Sequence, residues 1–261
     1  MPILREIDGK PRMLFAELTA PEIRALARDS TLVIAPIAAM EQHGVHLPVS
    51  TDTILAGAVA AGVEAILHRE TLVLPVLWLG ASDHHLPRGG TLTSPLPTYE
   101  QVLVDLLTPL LRDGFRRALI LNGHGGNIDP LRVALRRLDG DFPRAILTGA
   151  AYWDLASAEL ARLCVGPRKE MGHACEIETS MVLHLRPDLV KLDRAKDDPD
   201  DTPEGLGGLS WPRDFARRTD HGVVGYPESA DAGRGRLMLE AAVVKVAEVA
   251  RRVLDLPLPA C

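Results

Sequence analysis

Three short apolar runs, 31–37, 71–77 and 118–121, and a fourth strand over 144–151 alternate with stretches of helical spacing, and this alternation narrows the fold more than any other feature. The run 118–121 is apolar throughout, rather than at every second position, as in strands covered on both faces. A strand, helix, strand order joins parallel neighbours by right-handed crossovers. The fold class expected is therefore α/β, a three-layer α/β/α sandwich with a largely parallel central sheet. The 261 residues, 46% hydrophobic and 25% charged, suit one soluble domain spanning 1–261.

Local signals bound the helices. Thr19 and Glu22, with Pro21 between them, form a capping box for a short helix ending near Asp29. Asp52 is a natural N-cap for a helix over 53–69. Thr98 and Gln101 make a second box, opening a helix that Pro109 should kink before it ends near Gly114. Asn127 or Asp129 caps the next helix, another covers 154–164, and one following His173 stops before Pro187. Residues 196–208, acidic and rich in Pro and Gly, read as a mobile surface loop and a candidate active-site flap. Residues 211–227 read as irregular or a short hairpin, and Asp231 caps a long terminal helix.

A formal net charge of −6 argues against a surface that tracks nucleic-acid phosphates and favours a small-molecule substrate. No run approaches the roughly 20 apolar residues of a membrane span. The start of the chain, with Arg5, Glu6, Asp8 and Lys10, lacks a secretory apolar segment, so a cytoplasmic protein is expected. Cys164, Cys175 and Cys261 are too few for a disulfide framework and are read as thiols.

The chemistry concentrates where strands end. Of nine histidines, seven fall in loops or at their edges: His43, His46, His84, His85, His124, His173 and His221. Singly, each is more often an ordinary turn residue, and Asp52, Glu41 and Glu176 are more often a cap or solvated charges. Collectively they make an ion site, because three of the loops leave strand ends, where α/β folds gather their ligands. Mixed imidazole and carboxylate donors suit zinc, manganese or iron, not an all-oxygen magnesium or calcium cage. Asp52 is the candidate bridge between two ions, since a carboxylate offers two oxygens.

Four motifs in order, Glu41-Gln-His-Gly-x-His-Leu-Pro-x-x-Thr-Asp52, Gly90-Thr91-Leu92-Thr93, Asn122-Gly-His-Gly-Gly-Asn127 and His173-Ala-x-Glu176-x-Glu178-Thr179-Ser180, resemble the creatininase (creatinine amidohydrolase) family. The resemblance covers about residues 30 to 190. It implies a creatininase-like α/β fold, commonly hexameric, and a dinuclear metal-dependent hydrolase cleaving a C–N amide bond in a small, cyclic amide. The cofactors implied are two divalent ions, Zn²⁺, Mn²⁺ or both, with Fe²⁺ a further candidate. Carried over by position, Glu41, His43, Asp52 and His124 match metal ligands. In creatininase proper a glutamate stands two residues beyond the matching histidine, where this chain has Gly126, so Glu176 is assigned as the remaining ligand. His173 matches the catalytic histidine, with Glu178 as its partner.

The same family resembles formamide deformylases, a peptidase of a redox-peptide pathway and ring-opening hydrolases of oxidised inositols. Two other classes compete. Cys175, two residues from His173, suggests a cysteine hydrolase, yet adjacency at a helix start rarely poises a base on a thiol. A non-catalytic metal-binding interaction protein would need a closed site, usually of four Cys or His ligands, whereas this set is carboxylate-rich. Trp153, Ser82, His84 and His85 are candidates for the pocket lining.

Overall fold

The computed structural model describes residues 12–199, 209 and 211–260. The apolar runs form a parallel sheet in the order β2-β1-β3-β4, from β1 (Leu32–Ile37), β2 (Thr71–Val73), β3 (Arg117–Asn122) and β4 (Ile146–Ala151). The helices are α1 (Ala20–Arg24), α2 (Thr51–Leu67), α3 (Leu96–Arg112), α4 (Ile128–Asp141), α5 (Tyr152–Leu155), α6 (Ser157–Leu163), α7 (Glu176–Leu185), α8 (Phe215–Arg218) and α9 (Ala232–Asp255).

Alternation along β1 divides the core. Leu32 and Ile34 join Leu55, Val59, Met181, Met238 and Val246, so α2, α7 and α9 cover one face of the sheet. Val33, Ala35 and Ile37 join Leu103, Leu107, Leu131 and Leu138, so α3 and α4 cover the other. This is the expected three-layer α/β/α sandwich. β1 and β3 run level, with Ile37 opposite Asn122, so the loops carrying Glu41 and His124 leave the sheet side by side.

Several boundaries differ from the sequence reading. β2 stops at Val73, since Pro75 has no N–H to give the ladder, and pairing resumes only as a bridge between Leu77 and Ile37. The Thr19–Glu22 box is present, but α1 ends at Arg24, short of Asp29. α2 begins at Thr51, so Asp52 lies in its first turn and is not its cap. α3 begins at Leu96 behind Pro95, Gln101 bonds Asp105 instead of closing a box, and the helix runs through Pro109 to Arg112. The helix expected over 154–164 is broken at Ala156 into α5 and α6. Residues 211–227 carry α8 and strand-like bridges from Val224 to His173 and from Gly225 to Asp198. The flap reading of 196–208 lies mostly outside the described residues. The segment Thr51–Glu70 is long and apolar enough to span a membrane by composition, contrary to the sequence reading. Here it is a core helix, with Leu55, Val59, Val63 and Leu67 buried.

Candidate metal centre

Three loops and two helix starts meet beyond the carboxyl ends of β1 and β3. The loop after β1 brings Glu41 and His43, the first turn of α2 brings Asp52, and the loop after β3 brings His124. The first turn of α7 brings Glu178, with His173 just ahead of it. Asparagines lock the loops together: Asn122 Oδ1 accepts from the His124 amide, and Asn127 donates to Ala38 O while accepting from the Ala81 amide. His46 Nε2 lies 2.9 Å from Thr179 Oγ1, tying the first loop to α7.

The donor atoms form two groups that share one residue. Glu41, Asp52 and His124 offer atoms within 4.8 Å of one another, and so do His43, Asp52 and Glu178. His43 Nε2 is 3.0 Å from Asp52 Oδ1, whereas His124 Nδ1 is 3.2 Å from Asp52 Oδ2. Each oxygen of Asp52 therefore faces a different histidine. Glu41 Oε1 is 3.1 Å from His124 Nδ1, and Glu178 Oε1 is 3.7 Å from His43 Nε2. A third group, Glu41, His43 and His173, overlaps both.

The outward ring nitrogens show what the inward ones are for. His43 Nδ1 lies 3.1 Å from the Glu41 carbonyl oxygen, and His124 Nε2 lies 3.1 Å from the Ala81 carbonyl oxygen and 3.1 Å from Ser82 Oγ. A carbonyl accepts, so each ring is assigned a proton on its outer nitrogen, which leaves a lone pair on the inner one. Those lone pairs point at carboxylate oxygens. Glu41 Oε1 and Oε2, His43 Nε2 and Asp52 Oδ2 are buried without a hydrogen-bond partner among the described residues. Acceptors facing acceptors in a buried space repel unless a cation lies between them, so this donor set fits divalent ions and their supporting partners.

Electrostatics agree. Burial raises Glu41 above the ordinary carboxylate range. Burial works against a charged His43, yet the neighbouring Asp52 carboxylate, with Glu178, lifts it well above the usual imidazole range. Burial likewise opposes His124, and Glu41 and Asp52 override it to about 10. Asp52, against its own burial, is driven down by His43 and His124. The Asp52 carboxylate thus calls for positive charge beside it, and protons on His43 and His124 supply it when an ion does not.

Glu176, assigned from the sequence as a ligand, lies elsewhere. Its carboxylate accepts from the Val165 and Gly166 amides at 2.9 Å each and sits 3.7 Å from Arg234. Glu178 takes the place at the cluster, and its neighbours are His43 and the Cys175 amide; no contact ties it to His173. His173 is held instead by the Gln42 carbonyl, to which its Nε2–H donates at 2.7 Å. Gly126 explains the exchange of carboxylates: a Cβ there would lie 2.1 Å from Ala81 O and 2.5 Å from His124 Nε2, so no side chain fits.

His85, buried, places Nε2 3.2 Å from Glu41 Oε1 and Nδ1 2.9 Å from the Gln42 amide nitrogen. Burial, with the neighbouring His173, keeps it neutral. Gln42 and Phe215 complete the surroundings, and neither carried a signal in the sequence beyond Gln42 standing between two ligands. Trp153 is outside the cluster, where with Asp154, Lys169 and Met171 it lines a cavity of about 530 Å³. Cys175 is buried and its thiol is pushed up to about 12, which removes it as a nucleophile at neutral pH.

The creatininase family profile, described as creatinine amidohydrolase, matches residues 16–250. Creatinine amidohydrolase of Pseudomonas putida is 32% identical over 88% of this chain and 92% of its own length. The mycofactocin precursor peptide peptidase of Mycobacterium tuberculosis is 31% identical over 87% of each chain. A 3-dehydro-scyllo-inosose hydrolase of Thermotoga maritima is 28% identical over 70% of this chain and 59% of its own. Among solved structures, a creatininase superposes with a TM-score of 0.79 at 29% identity, over 95% of this chain and 100% of that one. Further neighbours are a manganese form of creatininase and a mutant of Zn-Zn type, with TM-scores of 0.79 and 0.78. With the profile running through nearly the whole sandwich and over every residue of the cluster, the chain belongs to the creatininase family of metal-dependent amidohydrolases.

Proposed function

We propose that this chain is a dinuclear hydrolase cleaving the C–N bond of a small, cyclic amide. One ion would be held by Glu41, Asp52 and His124, the other by His43, Asp52 and Glu178. The observation that carries this reading is Asp52, whose Oδ1 and Oδ2 face different histidines at 3.0 and 3.2 Å. The bound ions supply Lewis acidity, polarising the substrate carbonyl and making water nucleophilic near neutral pH.

The chain's own residues do the rest. His173 donates its Nε2–H to the Gln42 carbonyl, which directs Nδ1 inward to 3.6 Å from Glu41 Oε1. Burial, with the charge of His43 beside it, holds its pKa well below the usual imidazole value, so it starts neutral. His173 Nδ1 takes the proton of the attacking water and passes it to the amide nitrogen as the C–N bond breaks. His85 and Gln42 hold Glu41 and His173 in register. Zinc and manganese are the ions proposed, in keeping with the solved neighbours.

The experiment is a panel of cyclic amides, formamides, short peptides and cyclic ketones offered to metal-loaded protein and to Asp52→Asn. Turnover of a cyclic amide that is lost in Asp52→Asn supports the reading; turnover of none overturns it. Peptide cleavage is the second reading. It draws on the 31% identity to a peptidase and on Gly126, which leaves no room for the glutamate that creatininase proper has there.

A further inference from the structure

Phe215 lies against three histidine rings at the site. Its ring centroid is 4.0 Å from that of His85, nearly parallel at 24°, and 4.6 Å from that of His173, edge-on. His84 follows at 5.9 Å. The guanidinium of Arg218 lies 5.7 Å from the same ring. The ring is 3% exposed, packed between the histidines and this charge.

Phe215 belongs to a strap, 211–225, that meets the cluster through this ring and through the Val224 bridge to His173. Arg88, in the loop after β2, holds the strap by donating to the carbonyls of Phe215, Thr219 and Asp220. At the far end Val224 and His173 exchange backbone hydrogen bonds at 2.8 and 3.0 Å. The strap is therefore fastened on both sides of His173.

Of the cluster residues, His173 alone keeps more than a tenth of its side chain exposed, at 12%, while Glu41, His43, Asp52 and His124 are at 3% or less. The cluster is thus most exposed at His173, and the Phe215 ring meets that residue edge-on at 4.6 Å. A nitrogen that receives a proton from His173 Nδ1 must come within about 3 Å of it. Whatever that nitrogen carries then comes near the ring that packs on His173.

We propose that Phe215 is the specificity-determining wall on the leaving-group side of the site, selecting cyclic amides whose ring nitrogen bears only hydrogen or a small, flat substituent. This rests on the amide-hydrolase reading above. Phe215 supplies no candidate ligand atom and reaches Glu41 through His85, so each variant is compared at measured metal content while the room beside His173 changes. Shortening it admits bulk on nitrogen, and a pocket that gains or loses one methylene typically changes selectivity by about 10- to 200-fold.

Two measurements on the full, metal-loaded chain test the wall. The first is the ratio of kcat/KM for an N-benzyl cyclic amide to that for the same cyclic amide with hydrogen on its nitrogen. Phe215→Ala should raise this ratio at least about tenfold, Phe215→Leu by less, Phe215→Tyr not at all, and Phe215→Trp should lower it. The second needs no turnover: the affinity of acetohydroxamate, a metal chelator, against its N-benzyl derivative by calorimetry, with metal content checked in each variant. The same order is expected. If Phe215→Ala does not fold, Phe215→Leu and Phe215→Trp still bracket the wild type in opposite directions. Amide hydrolysis with a ratio and affinities indifferent to position 215 overturns the wall and leaves the hydrolase standing. Affinities that follow position 215 in a protein hydrolysing no amide keep the wall and overturn the hydrolase.

Discussion

Glu176 and Glu178 differ by two residues, which on a helix is a rotation of about 200°, so only one can face the cluster. The sequence motif presents both, and which turns inward depends on where the helix starts. Because α7 starts at Glu176 behind Cys175, Glu178 is the third residue and faces His43, while Glu176 caps the 165–166 turn. Glu178→Gln should therefore lose about one of two ions per chain, and Glu176→Gln should keep both, as read by metal analysis of the purified variants. Full metal in Glu178→Gln would reverse the assignment. His173→Ala should retain metal and fall by ~10²- to 10⁴-fold in kcat, because it removes a proton path and no carboxylate. The raised pKa of His124 carries a pH prediction for protein stripped with a chelator. Its folded value of about 10 lies above the ordinary 6.5, so its contribution to stability is full below pH 6.5 and is lost as pH rises toward 10. Melting temperature of the stripped protein should fall across that window, and that of the metal-loaded protein should not, because ions there replace the protons. A stripped protein whose melting temperature is flat across the window would contradict the charge balance described. The candidate ligands Glu41, His43, Asp52 and His124 stood out in the sequence because their loops leave strand ends or open a helix, and the motif resemblance assigned them the role. The inward choice between Glu176 and Glu178, and between His84 and His85, was not legible, since neighbouring side chains point apart by rotations that only the local backbone fixes.

α7 brings Glu178 to the cluster, and α9 sets the position of α7. The two helices touch most closely at Gly235, where a Cβ would lie 1.8 Å from the Ser180 carbonyl oxygen. Gly235→Ala must push the helices apart, at a cost of at least about 2 kcal/mol by denaturant unfolding, and metal affinity should fall with it because Glu178 moves. An unchanged midpoint and unchanged affinity would show that α9 does not set the position of α7. α9 itself was the easiest helix to read, since its Asp231 cap and long apolar face are both local, and Asp231 Oδ1 does accept from the Arg234 amide. α3 was harder. The Thr98–Gln101 spacing imitates a capping box, but Pro95 already supplies an extended residue in front of the helix, so the start moves to Leu96. α8 left no signal because a four-residue helix has no apolar period of its own; Phe215 is buried by histidines distant in sequence.

At the scale of the molecule, the parallel order β2-β1-β3-β4 places the ends of β1 and β3 together, and the first turns of α2 and α7 arrive over them from one helical layer. The fold class was readable from the alternation of strands and helices, because β1 and β3, buried at every residue, are apolar along most of their length, whereas the partly exposed β4 carries a weaker imprint. The convergence of five segments was not readable from spacing, since it depends on loops whose ends are set by the sheet; it entered through the resemblance of four ordered motifs. Asp52 stands at the centre of that convergence, and the account depends on its holding two ions at once. Anomalous diffraction from crystals of the Mn²⁺- or Zn²⁺-loaded chain measures this directly. The account predicts two peaks about 3.5–4 Å apart on either side of the Asp52 carboxylate, one beside Glu41 and His124 and the other beside His43 and Glu178. A single peak, or a second one away from Asp52, would contradict it.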